Sequence, residues 1–351
     1  MIGSRFGRLK VGVVGLGRLW EARHKPALAK LKDRFQVTAV YDQVARRAEL
    51  ESVQFGCTAV DGLIELFERP DVEAIYLLTP QWFGLYPIEA ACATGKPIYC
   101  ALPMICGREE LDRLDHLVRS SGVVFMPEFA RRFYPTTMRL KQLLATKLGA
   151  PRLVIGLGRL FGFDRYGQPG PSTQLAPATL LVDPGTYLLD WCRFVFGSEP
   201  RSVQGWGGTI FPDPESVGPD FETCLMEFEG GATAQLSVAR YHRSLWGDAN
   251  RFLPQPGVQV FAERGVAWLE MPDRIQWTDA DGIHEERLPL EPTVGELLND
   301  HFYQMVRGEG SLAPTWNDSI AVARLLGAIR RSGLEGQKVA TDSSNQTDGT
   351  P

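Results

Sequence analysis

Between Leu9 and Arg18 the chain reads Leu-Lys-Val-Gly-Val-Val-Gly-Leu-Gly-Arg, an apolar run of strand length that breaks into two glycines one residue apart. Helix-compatible residues follow, so the segment reads as strand, tight turn and helix. Such a turn presents the first N–H groups of the helix in front of the strand end, where they lack intrahelical partners. Gly15 permits the sharp turn, and Gly17 lets another group approach the backbone closely. An anion is the natural guest there, and a pyrophosphate fits best. The third glycine of the G-x-G-x-x-G fingerprint is replaced by Trp20. An indole at that point must swing outward, push the helix away, or intrude on the ligand.

The residues after this turn repeat the alternation. Apolar strands are expected at 36–41, 57–60, 72–79, 96–100 and 123–126, with helices between them, the clearest over Arg108 to Ser121. Six strands alternating with helices predict a parallel sheet covered on both faces, and the crossover rule makes it doubly wound. This is a Rossmann-type dinucleotide-binding domain, placed at 1–128. From 129 the pattern changes to a helix over Pro135 to Leu148, then longer alternating strands separated by Glu229-Gly230-Gly231 and Glu263-Arg264-Gly265. These are hairpin turn chemistry. Helices return at about 186–196, 294–307 and 319–331. The fold class is therefore α/β: a Rossmann doubly wound parallel sheet followed by an α+β domain, 129–340, with an open, largely antiparallel sheet. Phe161 to Thr179 reads as a loop beside the site, and 341–351 as a disordered tail.

Composition narrows the partners. The chain has 351 residues and a formal charge of -5, against the basic face that nucleic acid or an anionic membrane demands. No apolar run approaches the roughly 20 residues of a membrane span. No signal-peptide cleavage pattern follows the N-terminus, so a cytoplasmic protein is expected. The six cysteines show no C-x-x-C spacing, and His116, His242, His284 and His301 no ligand spacing, so no metal is expected. His24 is expected to pack rather than react.

The cofactor contacts expected from the fold are Gly15, Leu16, Gly17, Arg18 and Leu19 in the turn, then Asp42 closing the second strand. Thr79, Pro80 and Gln81 end the fourth strand and Ala101 ends the fifth, all at the carboxyl edge of the sheet. Asp42 comes 27 positions after Gly15, against about 20 in the generic fingerprint. A carboxylate there accepts bonds from ribose hydroxyls and repels a 2′-phosphate, which favours NAD. Arg46 and Arg47 nearby keep NADP open. The alternative for Asp42 is a strand-end residue capping the next helix.

These pieces, with Asp71-Val72-Glu73-Ala74-Ile75, Ala93-Thr94-Gly95-Lys96-Pro97, Arg132-Phe133-Tyr134-Pro135, Asp183-x-Gly185 and Asp190, resemble the Gfo/Idh/MocA family of NAD(P)-dependent oxidoreductases. The resemblance runs from Leu9 to about Val339. It implies a small-molecule substrate, commonly a sugar or polyol, and an open sheet that buries itself in a homodimer or homotetramer.

It also exposes departures. The family supplies a Lys from an E-K-P triplet, and Asp and His from a D-x-G-x-H-x-x-D run. Here the triplet reads Ala101-Leu102-Pro103, and the run reads Asp183-Pro184-Gly185-Thr186-Tyr187-Leu188-Leu189-Asp190. Thr79-Pro80-Gln81-Trp82-Phe83-Gly84 lacks a further His. Lys96 cannot stand in: at about 3.3 Å per residue of strand it lies well over 10 Å from position 101. Asp183, Tyr187 and Asp190 share one helical stripe and form the candidate catalytic set. Tyr187 between carboxylates suits proton donation, hence reduction. Against this, Asp183 before Pro184 also reads as a helix cap, with Tyr187 packing in the cleft. Arg131 and Arg132 read either as ligand contacts or as ion-pair partners. Trp82, Phe83, Tyr86, Phe161, Phe163 and Tyr166 would make an aromatic rim suited to stacking on a sugar or a flat ligand, with core packing as the alternative for most of them. Two readings follow: an oxidoreductase with altered acid–base equipment, or a non-catalytic nucleotide- or metabolite-binding sensor or partner subunit.

Overall fold

The computed structural model describes residues 7–78, 84–101, 106–161, 185–209, 219, 221–241, 257–309 and 313–341. Contacts divide the chain into two units: Met1–Ala130 with Glu291–Ile320, and Arg131–Leu290 with Ala321–Pro351.

The first unit is built on six parallel strands, β1 (Leu9–Val14), β2 (Phe35–Tyr41), β3 (Thr58–Ala59), β4 (Ala74–Leu77), β5 (Ile98–Cys100) and β6 (Phe125–Pro127). Their spatial order is β3-β2-β1-β4-β5-β6. Strand order reverses between β1 and β4, the switch point outside which ligands of such sheets bind. Val11, Val13, Val14, Ile75, Tyr76, Leu77, Ile98 and Tyr99 are all essentially inaccessible. Continuous apolar strands are what a sheet buried on both faces requires.

The connecting helices are α1 (Lys25–Lys30), α2 (Ala45–Phe55), α3 (Leu63–Glu68), α4 (Tyr86–Cys92) and α5 (Arg108–Ser121). Arg18 and Leu19 are already helical, and a π turn over Trp20–His24 joins them to α1.

Residues 291–320 belong to this unit although they lie far down the chain, so a linear boundary at 128/129 misses a segment. Its helix α8 (Val294–Val306) starts with a capping box. Thr293 Oγ1 accepts from the Glu296 amide, and the Glu296 carboxylate accepts from the Thr293 amide. Leu298, Asn299 and Phe302 form its buried stripe. Phe302 meets Tyr76 and Tyr99 edge-on at 5.3 and 5.5 Å between centroids. At Gly295 a Cβ would come within 2.6 Å of the Arg23 carbonyl, so only glycine lets α8 lie this close to the π turn.

The second unit carries a nine-stranded sheet in the order β14-β13-β12-β11-β7-β10-β9-β8-β15. Its strands are β7 (Pro151–Phe161), β8 (Pro200–Gly208), β9 (Phe221–Phe228), β10 (Thr233–Tyr241), β11 (Gly257–Ala262), β12 (Gly265–Glu270), β13 (Arg274–Asp279), β14 (Gly282–Arg287) and β15 (Val339–Ala340). Only β7 and β10 pair in parallel. Burial alternates as a one-sided sheet demands. Val154, Cys224, Met226, Ala234, Leu236, Val258 and Val260 are inaccessible or nearly so, while Trp206, Leu225, Leu157 and Trp268 on the other face remain exposed. Helices α6 (Pro135–Leu143), α7 (Gly185–Phe196) and most of α9 (Trp316–Glu335) complete the unit.

The helix expected over 135–148 ends in a π turn, Leu144–Leu148. Of the segment expected as a tail, Thr341 bonds through its amide to the Arg201 carbonyl, and 342–351 lie outside the described residues. The loop expected at 161–179 also lies outside them, apart from its first residue at the end of β7.

Candidate functional site

In the first unit the glycine turn sits at the carboxyl end of β1, beside the end of β4. Gly15 has φ 95°, a conformation that strains any residue with a Cβ, and its amide bonds to the Tyr41 carbonyl at 2.9 Å. A Cβ built on Gly17 meets nothing within 4 Å, so open space lies in front of the helix start. A pyrophosphate requires this: a backbone turn with room before it and N–H groups behind it. Arg18 is exposed and Leu19 partly so.

Asp42 follows β2 and closes the turn. Its Oδ2 accepts from the Leu16 amide at 2.8 Å, and its Oδ1 from the Val44 amide at 2.8 Å. The carboxylate thus fixes both the glycine turn and the residue from which α2 starts. Each oxygen keeps a second lone pair for a ribose hydroxyl. Arg47 Nη1 lies 3.7 Å from Oδ1. Ala101 follows β5 and bonds to the Leu77 carbonyl through its amide. Thr79, Pro80 and Gln81 lie outside the described residues, as do Trp82, Phe83, Phe163 and Tyr166. Tyr86 is exposed.

Trp20 takes a course between the expected ones. Its side chain is inaccessible, packed against Phe55 of α2 at 5.3 Å, with Nε1 donating to Glu51 Oε2 at 3.1 Å. Lys25 Nζ reaches the other oxygen of Glu51 at 2.6 Å. His24 is buried as expected, but in a charged cluster rather than an apolar one. Its Nε2 lies 2.8 Å from Glu128 Oε2, which also accepts from the Tyr99 hydroxyl at 2.9 Å, and Arg23 pairs with Glu128 Oε1. Burial alone would push the Glu128 carboxyl up. His24 and Arg23 beside it, and the bonds from His24 and Tyr99, outweigh that and hold it at about 2. Asn299 of α8 accepts from the Tyr76 hydroxyl at 2.7 Å and donates to the Gly295 carbonyl at 2.6 Å. Lys96 donates to the Phe67 and Arg69 carbonyls at 2.7 and 2.6 Å, closing the C-terminus of α3.

Sequence reasoning missed Glu51, Lys25 and Glu128. One signal was available: a buried indole N–H needs an acceptor, and the polar helix Ala45–Phe55 offers carboxylates.

In the second unit α7 carries Tyr187 and Asp190; Asp183 lies outside the described residues. Tyr187 is half-buried. Asp190 is 1% exposed and receives Arg132 in a two-pronged pair, Nε to Oδ2 at 2.8 Å and Nη2 to Oδ1 at 2.5 Å. Arg193 adds a contact at 3.3 Å and also binds Glu199. Arg132 therefore follows the ion-pair alternative; its guanidinium also lies 5.1 Å from the centre of the Phe194 ring. Arg131 contacts the Met271 sulfur at 3.3 Å. Among the described residues no group of three or more His, Cys, Asp or Glu is placed to hold a metal, and no helix is long and apolar enough to cross a membrane.

Comparison with known proteins supplies the remaining findings. Residues 9–129 match the model of an oxidoreductase family with an NAD-binding Rossmann fold, the GFO/IDH/MocA family, and residues 138–267 match the GFO/IDH/MocA C-terminal domain. The chain is 22% identical to inositol 2-dehydrogenase of Rhizobium meliloti over 342 residues, 95% of this chain and 99% of that protein. It is 29% identical to dTDP-3,4-didehydro-2,6-dideoxy-alpha-D-glucose 3-reductase of Actinomadura kijaniata over 334 residues, 92% of this chain and 95% of that one. An Agrobacterium radiobacter oxidoreductase, solved with NAD+, L-tartaric acid and magnesium, superposes with a TM-score of 0.79 at 20% identity, covering 95% of this chain and 98% of its own.

Proposed function

The chain belongs to the GFO/IDH/MocA family of oxidoreductases, and from that premise we propose that it is an NAD(P)-dependent reductase of a sugar-like carbonyl substrate, with Tyr187 as the proton donor. The observation that carries this reading is the intact glycine turn: Gly15 in its left-handed conformation, open space before Gly17, and Asp42 tying the turn to β2.

When bound, the nicotinamide supplies the hydride. This chain's residues do the rest. Gly17 and the helix start behind it receive the pyrophosphate, and Asp42 accepts from the adenine ribose. Asp42 favours NAD, while Arg47 beside it offers a cation to a 2′-phosphate, so NADP is the weaker alternative. A hydroxyl formed at the substrate carbon needs a proton, and a neutral tyrosine can give one at neutral pH. Asp190, held by two arginines, orients α7 rather than moving a proton. The Actinomadura 3-reductase supports the direction of the reaction, and the inositol dehydrogenase supports the substrate class.

Tyr187→Phe should cut turnover at least a hundredfold, in line with the usual worth of a positioned acid, and leave NADH affinity within about twofold. An unchanged rate would remove Tyr187 from the chemistry. A second reading is favoured by Ala101-Leu102 in sequence, where the family carries its Glu and Lys: the chain then binds nucleotide but turns nothing over. Wild-type turnover with any carbonyl substrate separates the two.

A further inference from the structure

We infer that Glu51 is a positioning residue for the dinucleotide, acting through the π turn at the start of the first helix; this rests on the nucleotide-binding reading above. The turn is defined by the Lys25 amide bonding to the Trp20 carbonyl, five residues back. Glu51 joins the same two residues through their side chains, the indole at 3.1 Å on one oxygen and the ammonium at 2.6 Å on the other. In an α-helix, residues five apart point about 140° away from each other. With about 4.4 residues per turn, a π turn brings them within about 50°. One carboxylate can therefore hold both only while the extra residue stays in the turn. Glu51 selects the π geometry, and α-helical winding would break its bridge.

The neighbours reinforce this selection. Glu128 takes the last two residues of the same turn, Arg23 and His24, from the end of β6. On the side facing the glycine turn, Asp42 holds the Leu16 amide from the end of β2. Glu51 lies on α2, the helix that β2 leads into, so β2 and α2 grip the chain both before and after the helix start. The first-turn N–H groups lie between those two grips. Their direction toward an anion is set by the winding immediately behind them. Trp20 belongs to this arrangement: it occupies the position normally kept small, and the α2 carboxylate turns its indole away from the ligand side.

The test is titration of the full chain with NADH and with NADPH, followed by nicotinamide fluorescence. Glu51→Gln should raise the NADH Kd about tenfold. Because that variant leaves Lys25 without its main partner, the double variant Glu51→Gln/Lys25→Met removes the stranded charge as well. It should recover thermal stability while the raised Kd persists, a separation that a purely structural role would not give. A double variant that binds NADH as tightly as wild type overturns the inference and leaves the nucleotide reading standing. A wild-type chain that binds neither nucleotide overturns both.

Discussion

Truncating Asp190 to alanine is expected to destabilise the second unit by about 3–5 kcal/mol, the usual cost of stranding one member of a buried ion pair. The geometry places this pair at the severe end. Asp190 is 1% exposed, and the Arg132 side chain only 9%. Arg193 keeps Glu199 when Asp190 is removed, but Arg132 loses both prongs of its carboxylate contact. Its contact with the Phe194 ring remains, and a cation–π contact contributes about 0.5–2 kcal/mol. In thermal unfolding followed by near-ultraviolet circular dichroism, the loss should appear as a fall of about 6–20 °C in the transition of that unit. Asp190→Asn keeps the shape and one acceptor, so it should fall between alanine and wild type. A change below about 1 kcal/mol for the alanine variant would show that Arg132 finds water or another acceptor, and that α7 does not depend on the pair.

The second large effect runs against the fingerprint. Trp20→Gly would restore the third glycine of G-x-G-x-x-G, yet it should destabilise the first unit and weaken nucleotide binding. Trp20 is inaccessible and packed on Phe55, and removing a buried aromatic side chain to alanine costs about 3–5 kcal/mol. Glycine within a helix adds about 1 kcal/mol. Glu51 would also lose its indole donor and keep Lys25. Trp20→Phe separates the contributions, because it retains most of the buried area and loses only the N–H. Chemical denaturation with urea is the direct measurement, read beside NADH affinity. If Trp20→Gly were as stable as wild type and bound NADH more tightly, Trp20 would be an obstacle in the site and not a part of its frame.

Much of the frame was legible in the residues. β1 and α5 fall on the expected Leu9–Val14 and Arg108–Ser121, because a continuous apolar strand before a glycine turn and a strongly amphipathic helix leave little choice. The doubly wound topology followed from alternation together with the crossover rule. Other elements left fainter traces. The β13–β14 hairpin is charged on β14, with Ile283 exposed, while β13 buries Ile275 and Trp277. The return of 291–320 to the first unit is a long-range choice, made by Phe302, Asn299 and Gly295 against residues about 200–275 positions earlier. No local pattern carries that information.

The candidate site divides the same way. Residues defined by backbone geometry, Gly15 and Gly17, could be read from type and spacing. Asp42 could be placed but not its double grip, which depends on where the turn amides point. Glu51 leaves only the indirect signal of an indole that needs an acceptor, and Glu128 leaves none, because a glutamate on a polar helix and one at a strand end look solvated until their partners are known. Asp190 shows the converse: a motif position suggested chemistry, and the folded chain surrounds it with arginines.

A dinucleotide held at the glycine turn is the central requirement of the proposed function. Titration of the wild-type protein with NADH and NADPH, followed by nicotinamide fluorescence and by quenching of tryptophan emission, tests that claim directly. Saturable binding of NADH, tighter than NADPH and weakened by Asp42→Ala, is the predicted result. A folded protein that binds neither nucleotide would contradict it.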